Sequence, residues 1–216
     1  MTPRIAVVDY GMGNRRSVQK ALGRIGASAE ITRDHDEIRA ADGVVVPGVG
    51  AFPRGMHNLR ELGLDAVIEE RAAAGVPTLG ICLGMQLLFE RSSELQDTEG
   101  LGLIAGEVSP IRAAGLRVPH IGWNEVLFER PSPLTEGLPA NGCPFYHVHS
   151  LAAHPVSPED RVASTEYGES FATIVARGSV YGVQFHPEKS SAHGLRMLDN
   201  FARLCASRVA EEARAA

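Results

Sequence analysis

The sequence has few cysteines, no long apolar run and no excess of positive charge. Its three cysteines, Cys82, Cys143 and Cys205, are too few for a disulfide framework, and their odd number leaves at least one thiol unpaired within the chain. We therefore expect a reducing compartment, the cytoplasm. No stretch approaches the ~18 uninterrupted apolar residues that a membrane span needs. The N-terminus lacks the apolar core of a secretion signal, so we expect neither a signal nor a span.

Charge and composition argue against further classes. Lys and Arg number 21 against 26 for Asp and Glu, and the resulting net charge of −5 gives no indication of a nucleic-acid or anionic-membrane partner. A hydrophobic fraction of 44% argues against a disordered chain. We find no linker and no internal repeat in the 216 residues. We therefore predict a single domain over residues 1–216, with a tail that frays after about residue 207.

In the first half of the chain, short apolar runs alternate with helical patterns. Three runs without a polar face are typical of strands buried on both sides of a parallel sheet: 5–8, 43–46 and 78–81. Apolar residues at helical spacing lie between and after them: 16–25, 59–74 and a helix that begins at 85–89. This alternation predicts an α/β fold with a mostly parallel central sheet flanked by helices.

The second half has a different pattern. Its strand-like runs are interrupted by Gly and Pro: 123–128, 145–148, 172–176 and 180–185. We expect them to add antiparallel strands to the sheet. Apolar residues at helical spacing predict a last helix over about residues 194–213.

The strongest chemical signal is the segment 80–84, Gly-Ile-Cys-Leu-Gly, between a strand and a helix. Glycines on both sides allow a sharp turn that exposes the central residue, as in a nucleophile elbow. The helix N-terminus behind Cys82 would favour its thiolate, which is the reactive form of a cysteine. The alternative is a buried structural cysteine, which is how we interpret Cys143 and Cys205.

A second signal is the segment 184–188, Gln-Phe-His-Pro-Glu. His186 and Glu188 lie two residues apart, so an extended backbone places both on one face. Glu188 can then fix the tautomer of His186, whose other nitrogen serves a nucleophile as general base and acid. Alone, the segment is also consistent with a solvated surface turn. Together with Cys82 it indicates a nucleophile, a base and an orienting carboxylate.

A third signal is the glycine-containing loop 47–52, at the carboxyl end of a predicted strand. Its glycines allow backbone N–H groups to turn toward an oxyanion, and we select the amides of Val49 and Leu83 as the oxyanion hole. The spacing leaves open which amide of 48–50 contributes, and a tight loop without function is the alternative.

Other motifs are incomplete. The glycines at 11 and 13 lack the third glycine of a dinucleotide-binding fingerprint, and no phosphate-binding Gly-Lys-Ser/Thr segment is present. His147 and His149 would share one strand face, but no third ligand follows them, so we predict neither a metal nor another cofactor. Trp123, the only tryptophan, is either a core residue or an interface anchor.

With Cys82, His186 and Glu188 in this order, the chain resembles the class I (triad) glutamine amidotransferases. Three stretches resemble one branch of that family, the glutaminase subunits of imidazole glycerol phosphate synthase: 5–18, 118–126 and 182–201. The resemblance covers about residues 4–205. It implies that glutamine is hydrolysed through a thioester on Cys82. It also implies a set of glutamine-binding residues: Gly50, Gln86, Glu94 and the backbone of Ser150 and Leu151.

The resemblance also implies a partner. The ammonia would pass to a separate cyclase subunit in a heterodimer, which makes imidazole glycerol phosphate and an aminoimidazole carboxamide ribotide in histidine biosynthesis. The interface candidates that it implies are Asn14, Pro119, His120, Trp123, Asn124 and Lys189. Three alternatives remain: an amidotransferase of another pathway, a non-catalytic regulatory subunit, and an autonomous cysteine hydrolase of γ-glutamyl peptides.

Overall fold

A computed structural model describes residues 2–215 of the chain, with side chains other than those of residues 211–213 and 215. The first-half strands and helices alternate as β1 Arg4–Val8, α1 Arg15–Arg24, β2 Ser28–Thr32, α2 His35–Arg39, β3 Gly43–Gly48, α3 Phe52–Glu61, α4 Leu64–Ala73, β4 Thr78–Cys82 and α5 Leu83–Leu87. Mostly strands follow: β5 Phe89–Ser92, β6 Thr98–Glu99, β7 Ile104–Pro110, β8 His120–Phe128, β9 Cys143–His149, β10 Leu151–Pro155, β11 Arg161–Glu166, β12 Ser170–Arg177 and β13 Val180–Val183. The last helix is α6, Ser191–Ala215.

The strands form one sheet whose central part is parallel. Its main order is β2-β1-β3-β4-β13-β12-β10-β7-β5-β6, and β11, β8 and β9 branch from β12. The pairs from β2 to β13 are parallel, whereas β13 pairs antiparallel with β12. The predicted α/β fold with added antiparallel strands is therefore confirmed. Strand β13 places the end of the second half beside β4, at the centre of the sheet.

Successive side chains of the parallel strands belong to two apolar clusters. In β1, Val8 belongs to a cluster that includes Met56 of α3, and Val7 belongs to one that includes Leu22 of α1. This alternation follows from the two-residue period of a strand. It explains why the strand runs lack a polar face, since both faces of the sheet are covered.

Two predicted helices differ from the structure, and one strand of the parallel part of the sheet was not predicted. The helix expected over 59–74 is two helices, because Gly63 adopts a left-handed φ of 63° between α3 and α4. The helix expected from residue 85 begins at Leu83 and ends at Leu87, because Phe89 starts β5 and pairs with β7. Strand β2 was not predicted, since it lies at the sheet edge and alternates exposed and half-buried residues.

The predicted last helix and its frayed tail can be compared with the structure only in part. Helix α6 is longer than the predicted 194–213, and its backbone is helical to Ala215. The fraying expected after about residue 207 stays a prediction, because it falls partly on side chains outside the described residues.

Candidate active site

Cys82 lies at a sharp turn between β4 and α5. Its φ of 55° and ψ of −111° are rare for a residue with a side chain. The glycines on both sides are required by space: a Cβ on Gly84 would lie 1.7 Å from the carbonyl oxygen of Val46, and one on Gly80 would lie 2.5 Å from the carbonyl oxygen of Gly84. Both clashes are with backbone, so only glycine fits. The turn exposes Cys82 to the pocket described below.

The surroundings of the Cys82 sulfur differ from the sequence interpretation. Helix α5 has only five residues, so few aligned peptide dipoles lie behind the thiol. The nearer polar groups are two side chains and the carbonyl oxygen of Val148, which lies 3.7 Å from Sγ. His186 is hydrogen-bonded to Cys82, and the Gln184 Nε2 lies 3.7 Å from Sγ. His186 and the Gln184 amide, rather than the helix, are therefore the groups near the Cys82 sulfur that can stabilise negative charge.

His186 is held by Glu188 in a nearly dry environment. Its Nδ1 lies 2.9 Å from the Glu188 Oε1, and the two side chains are only 4% and 1% exposed. Burial by itself lowers the pKa of His186. The hydrogen bonds with Cys82 and Glu188 and the charges of both groups outweigh burial and raise that pKa to about 10. The triad, defined as Cys82, His186 and Glu188, therefore holds a histidine whose protonated form is stabilised by the groups on both sides of its ring.

Gln184 is a site residue that sequence reasoning did not select. Its Nε2 donates to the Cys82 sulfur, and its Oε1 accepts from the Gln86 Nε2 at 2.9 Å. Gln184 is completely buried. A signal was present in the sequence, because Gln184 and His186 lie two residues apart and thus on one face of an extended segment.

A cavity of about 270 Å³ lies over Cys82. The lining residues include those selected for catalysis, oxyanion binding and glutamine binding, with the exception of Glu188: Val49, Gly50, Cys82, Leu83, Gln86, Glu94, Ser150, Leu151 and His186. Glu188 is hydrogen-bonded to His186 instead. The Glu94 carboxylate accepts a hydrogen bond of 2.5 Å from the Phe52 amide, which fixes it at the start of α3.

The glycine-containing loop and the turn at Cys82 are neighbours in the sheet. Gly48 is directly opposite Cys82 in the parallel pairing of β3 and β4. The amides of Val49 and Leu83 therefore follow one residue later on adjacent elements. Beneath the loop, the buried Tyr10 hydroxyl has no hydrogen-bond partner among the described residues, and a Cβ on Gly48 would lie 2.4 Å from that hydroxyl. Burial raises the pKa of Tyr10.

Five of the six interface candidates lie at or near the surface. Trp123 is 54% exposed on β8, and Ile121 and Leu127 are exposed on the same face of this strand. Asn14, Pro119 and Lys189 are exposed, and Asn124 is half-buried. Pro119 and Lys189 also line the cavity. His120 differs from them, because its side chain is buried and faces the interior.

His120 belongs to a buried group that we call the histidine cluster, consisting of His120, His147 and His149. The rings of His120 and His147 are stacked with 4.8 Å between centroids, and His120 Nδ1 lies 3.1 Å from His149 Nε2. Burial lowers the pKa of His120 to about 4, and burial is also the largest cause that lowers the pKa of His147 to about 2 and of His149 to about 3. Each ring is therefore neutral near pH 7.

A metal centre is not supported within residues 2–215. No group of three or more His, Cys, Asp or Glu side chains in this part of the chain is arranged to hold a metal ion. No helix in the same range combines the length and apolar character needed to cross a bilayer.

The site geometry and the fold define a class of protein. The family model for class I glutamine amidotransferases matches residues 6–205, and the chain belongs to this family. Solved structures agree at the level of the fold. The chain resembles the Thermotoga maritima protein PurLQS with a TM-score of 0.74 and 20% identity, over 97% of this chain and 100% of the other. It also resembles the glutaminase domain of Trypanosoma brucei CTPS, with a TM-score of 0.70, 19% identity and coverage of 95% and 94%.

Closer relatives belong to one branch of the family. The Moorella thermoacetica protein named imidazole glycerol phosphate synthase subunit HisH is 54% identical over 93% of this chain and 94% of its own length. The protein of the same name from Methanosarcina barkeri is 48% identical, over 94% of this chain and 99% of its own length.

Proposed function

We propose that this chain is the glutaminase subunit of an imidazole glycerol phosphate synthase. It hydrolyses glutamine to glutamate and ammonia and supplies the ammonia to a separate cyclase subunit in histidine biosynthesis. The observation that carries the chemistry is the buried triad at the cavity, with a histidine whose pKa is raised to about 10. The relatives at 48–54% identity support this pathway over others. The family match over residues 6–205 supports a single domain.

The reaction proceeds in two halves. The Cys82 thiolate attacks the side-chain carbonyl carbon of glutamine, and the negative charge moves to the carbonyl oxygen, where the amides of Val49 and Leu83 are proposed to hold it. When the oxyanion collapses, the C–N bond breaks, and His186 gives its proton to the leaving amine, which departs as ammonia. A thioester on Cys82 remains, and His186 is then neutral.

Water completes the cycle. His186 is now a base and takes a proton from water, while the water oxygen attacks the thioester carbon. The second oxyanion collapses, the C–S bond breaks, and glutamate leaves. Cys82 is again a thiolate beside a protonated His186. Glu188 keeps the ring oriented in both halves and stabilises its charged form. A reaction that begins from a thiolate requires reduced cysteine, which supports a cytoplasmic location.

The cavity lining supports the assignment of substrate contacts. Gln86, Glu94, Gly50 and the backbone of Ser150 and Leu151 surround the space beyond Cys82. In this assignment, the Glu94 carboxylate receives the α-ammonium group of glutamine. The position of the Glu94 carboxylate supports this role, because its hydrogen bond with the Phe52 amide holds it at the start of α3.

The decisive experiment measures glutamate release by the purified chain, alone and with a cyclase subunit and its nucleotide ligand. We expect strong stimulation by the partner and loss of activity in Cys82→Ala by at least about 10⁴-fold. Equal activity with and without the partner would favour an autonomous hydrolase. No activity in any mixture would contradict a glutaminase, and failure to restore growth of a histidine-requiring strain would contradict the pathway.

The partner surface is proposed to include the outer face of β8. Trp123 is the largest exposed apolar side chain there, and large aromatic residues dominate binding energy at interfaces. We expect Trp123→Ala to reduce stimulation by the cyclase about tenfold or more, with a loss of unfolding free energy below about 1 kcal/mol. Glu125→Ala, on the same exposed face, is the matched control. A Trp123 variant that is merely unstable, with coupling intact in its folded fraction, would refute this assignment.

A further inference from the structure

A row of hydrogen bonds connects β8 with the rim of the cavity. Asn124 Nδ2 lies 3.3 Å from His120 Nε2, and His120 Nδ1 lies 3.1 Å from His149 Nε2. His149 Nδ1 in turn lies 2.7 Å from the carbonyl oxygen of Leu151. We call Asn124, His120 and His149 the β8–β9 network. It ends at the bend at Ser150, where β9 passes into β10 and the backbone lines the cavity.

Only one set of tautomers satisfies all of these bonds. The carbonyl oxygen of Leu151 can only accept, so Nδ1 of His149 carries the proton, and the Nε2 of this neutral ring accepts from His120. The Nε2 of His120 is then an acceptor for the Asn124 amide. The second proton of that amide goes to the carbonyl oxygen of Glu166 at 3.0 Å, which fixes the orientation of Asn124. Apart from this second amide proton, every donor in the network therefore points along the row toward the cavity rim.

The network is buried and laterally supported. His120 is 3% exposed and His149 is 6% exposed, and the two residues face each other in the antiparallel pairing of β8 and β9. The His120 ring lies between Tyr167, at 4.0 Å between centroids, and His147. If one partner is removed, the buried donor or acceptor that remains is left unpaired, and this costs free energy. Loss of one bond in the row therefore weakens the neighbouring bonds.

We propose that the β8–β9 network positions the backbone of Ser150 and Leu151 for glutamine binding, and that His120 and His149 are positioning residues of this enzyme. The bond from His149 to Leu151 spans the bend and closes it. The Ser150 carbonyl oxygen also accepts from the Ile111 amide at 3.0 Å, so loss of the His149 bond loosens the bend without detaching it, while the triad keeps its own contacts. This inference rests on the proposed function, because it assigns the network a role in binding that substrate.

His147 provides a matched control within the same strand. It is as buried as His149, but its Nδ1 bonds to the Phe145 carbonyl oxygen and its Nε2 to the Thr173 hydroxyl, each at 3.1 Å. Among residues 2–215, no hydrogen bond leads from the His147 ring to the cavity rim. Its substitution removes one of the two rings stacked on His120 but none of the hydrogen bonds of the network.

The test uses the full chain in complex with a cyclase subunit and measures KM and kcat for glutamine. We expect His149→Ala to raise KM about tenfold, with kcat within about threefold, since binding but not chemistry is affected. His149→Asn keeps a donor near the position of Nδ1 and restores KM to within about threefold, whereas His149→Gln does not. His120→Phe keeps the ring stack, removes both bonds and raises KM about threefold. His147→Asn leaves KM unchanged.

An independent measurement needs no activity. Nitrogen-15 NMR of the wild-type complex at pH 7 reports which ring nitrogen carries the proton, and we expect the Nδ1–H tautomer in both His120 and His149. The other tautomer in either ring would overturn the network, even if a variant failed to fold. An unchanged KM in folded His149→Ala, or an equal rise in His147→Asn, would overturn its role in binding. A wild-type complex that releases no glutamate would refute the proposed function, while the spectra would still decide the network.

Discussion

The two sides of the cavity contain buried histidines whose pKa values move in opposite directions. On the triad side, the pKa of His186 rises to about 10, whereas in the histidine cluster on the other side the values fall to between about 2 and about 4. Burial lowers the pKa of a histidine on both sides. The difference comes from the partners: His186 contacts two acidic groups, and the cluster contacts neutral groups and other histidines. One side therefore favours a charged ring, as the proposed proton transfer requires, and the other side favours neutral rings with directional hydrogen bonds.

Removing an anion from the triad side tests the comparison most severely. We expect Glu188→Gln to lower kcat about 10³-fold, because the ring loses both its orientation and the charge that stabilises its protonated form. The pKa of His186 should fall from about 10 toward 6.5, measured by NMR titration of the ring. Glu107→Gln, at an exposed carboxylate of β7, is the control and should change neither quantity. A pKa that stays near 10 in Glu188→Gln would assign the shift to Cys82 alone.

The triad side also depends on backbone shape in a way that the cluster side does not. We expect Gly84→Ala to lower the unfolding free energy by at least about 3 kcal/mol, because its Cβ would overlap the carbonyl oxygen of Val46. Gly122→Ala on β8 meets open space and should cost only about 1–2 kcal/mol through its φ of 142°. Urea denaturation measures both. Equal losses would contradict the steric argument for the turn at Cys82.

We expect acid to lower the unfolding free energy through the histidine cluster. Since the pKa of His147 is lowered to about 2, the unfolded chain binds a proton below pH 6.5 that the folded chain does not bind. Above pH 6.5 the neutral His147 ring costs the folded chain nothing. As the pH falls from 6.5 toward the pKa of about 2 in the folded chain, the unfolding free energy decreases. Between pH 7 and pH 5 we expect a loss of roughly 1–2 kcal/mol for each cluster histidine. His147→Gln should have a shallower dependence in urea denaturation at pH 7, 6 and 5, and an unchanged slope would disprove the assignment.

The smallest expected effects concern two tyrosine hydroxyls, one on each side. The Tyr10 hydroxyl is buried and has no hydrogen-bond partner in the part of the chain that the structure describes, so Tyr10→Phe should raise the unfolding free energy by up to about 1 kcal/mol. The Tyr167 hydroxyl donates to the Arg117 carbonyl oxygen at 2.7 Å, so Tyr167→Phe should lower it by about 1 kcal/mol. Thermal or urea unfolding of both variants tests whether the two changes in unfolding free energy have opposite signs. A loss of stability in Tyr10→Phe would show that the Tyr10 hydroxyl makes a stabilising hydrogen bond.

The same division explains what could be predicted from the sequence. The features of the triad side are local: glycines two residues before and after Cys82, and a histidine two residues from a glutamate. The histidine cluster depends on the register that places His120 opposite His149, and residues 129–142 separate the two strands involved. Spacing in the sequence does not encode this register. The mutual support of Gln184 and Gln86 was missed for the same reason, since these residues come from distant elements.

The errors in the fold have local physical causes. The apolar spacing of 59–74 continues through Gly63, so periodicity predicted one helix where a left-handed residue divides two. Helix α5 is short because pairing with β7 extends the chain from Phe89, and a tertiary contact of this kind overrides helical spacing. The α/β class itself was predictable, because buried parallel strands must be apolar on both faces.

The position of β13 has a consequence for how the protein is made. Strand β4 carries Cys82, the proposed nucleophile, and pairs with β13, which leads into His186, although almost half of the chain lies between the two strands. Because the chain is synthesised from its N-terminus, Cys82 emerges from the ribosome long before His186. The emerging chain therefore holds an ordinary thiol without its basic partner. In the proposed mechanism, Cys82 gains its basic partner only when β13 pairs with β4, so an incomplete polypeptide would not expose an activated cysteine.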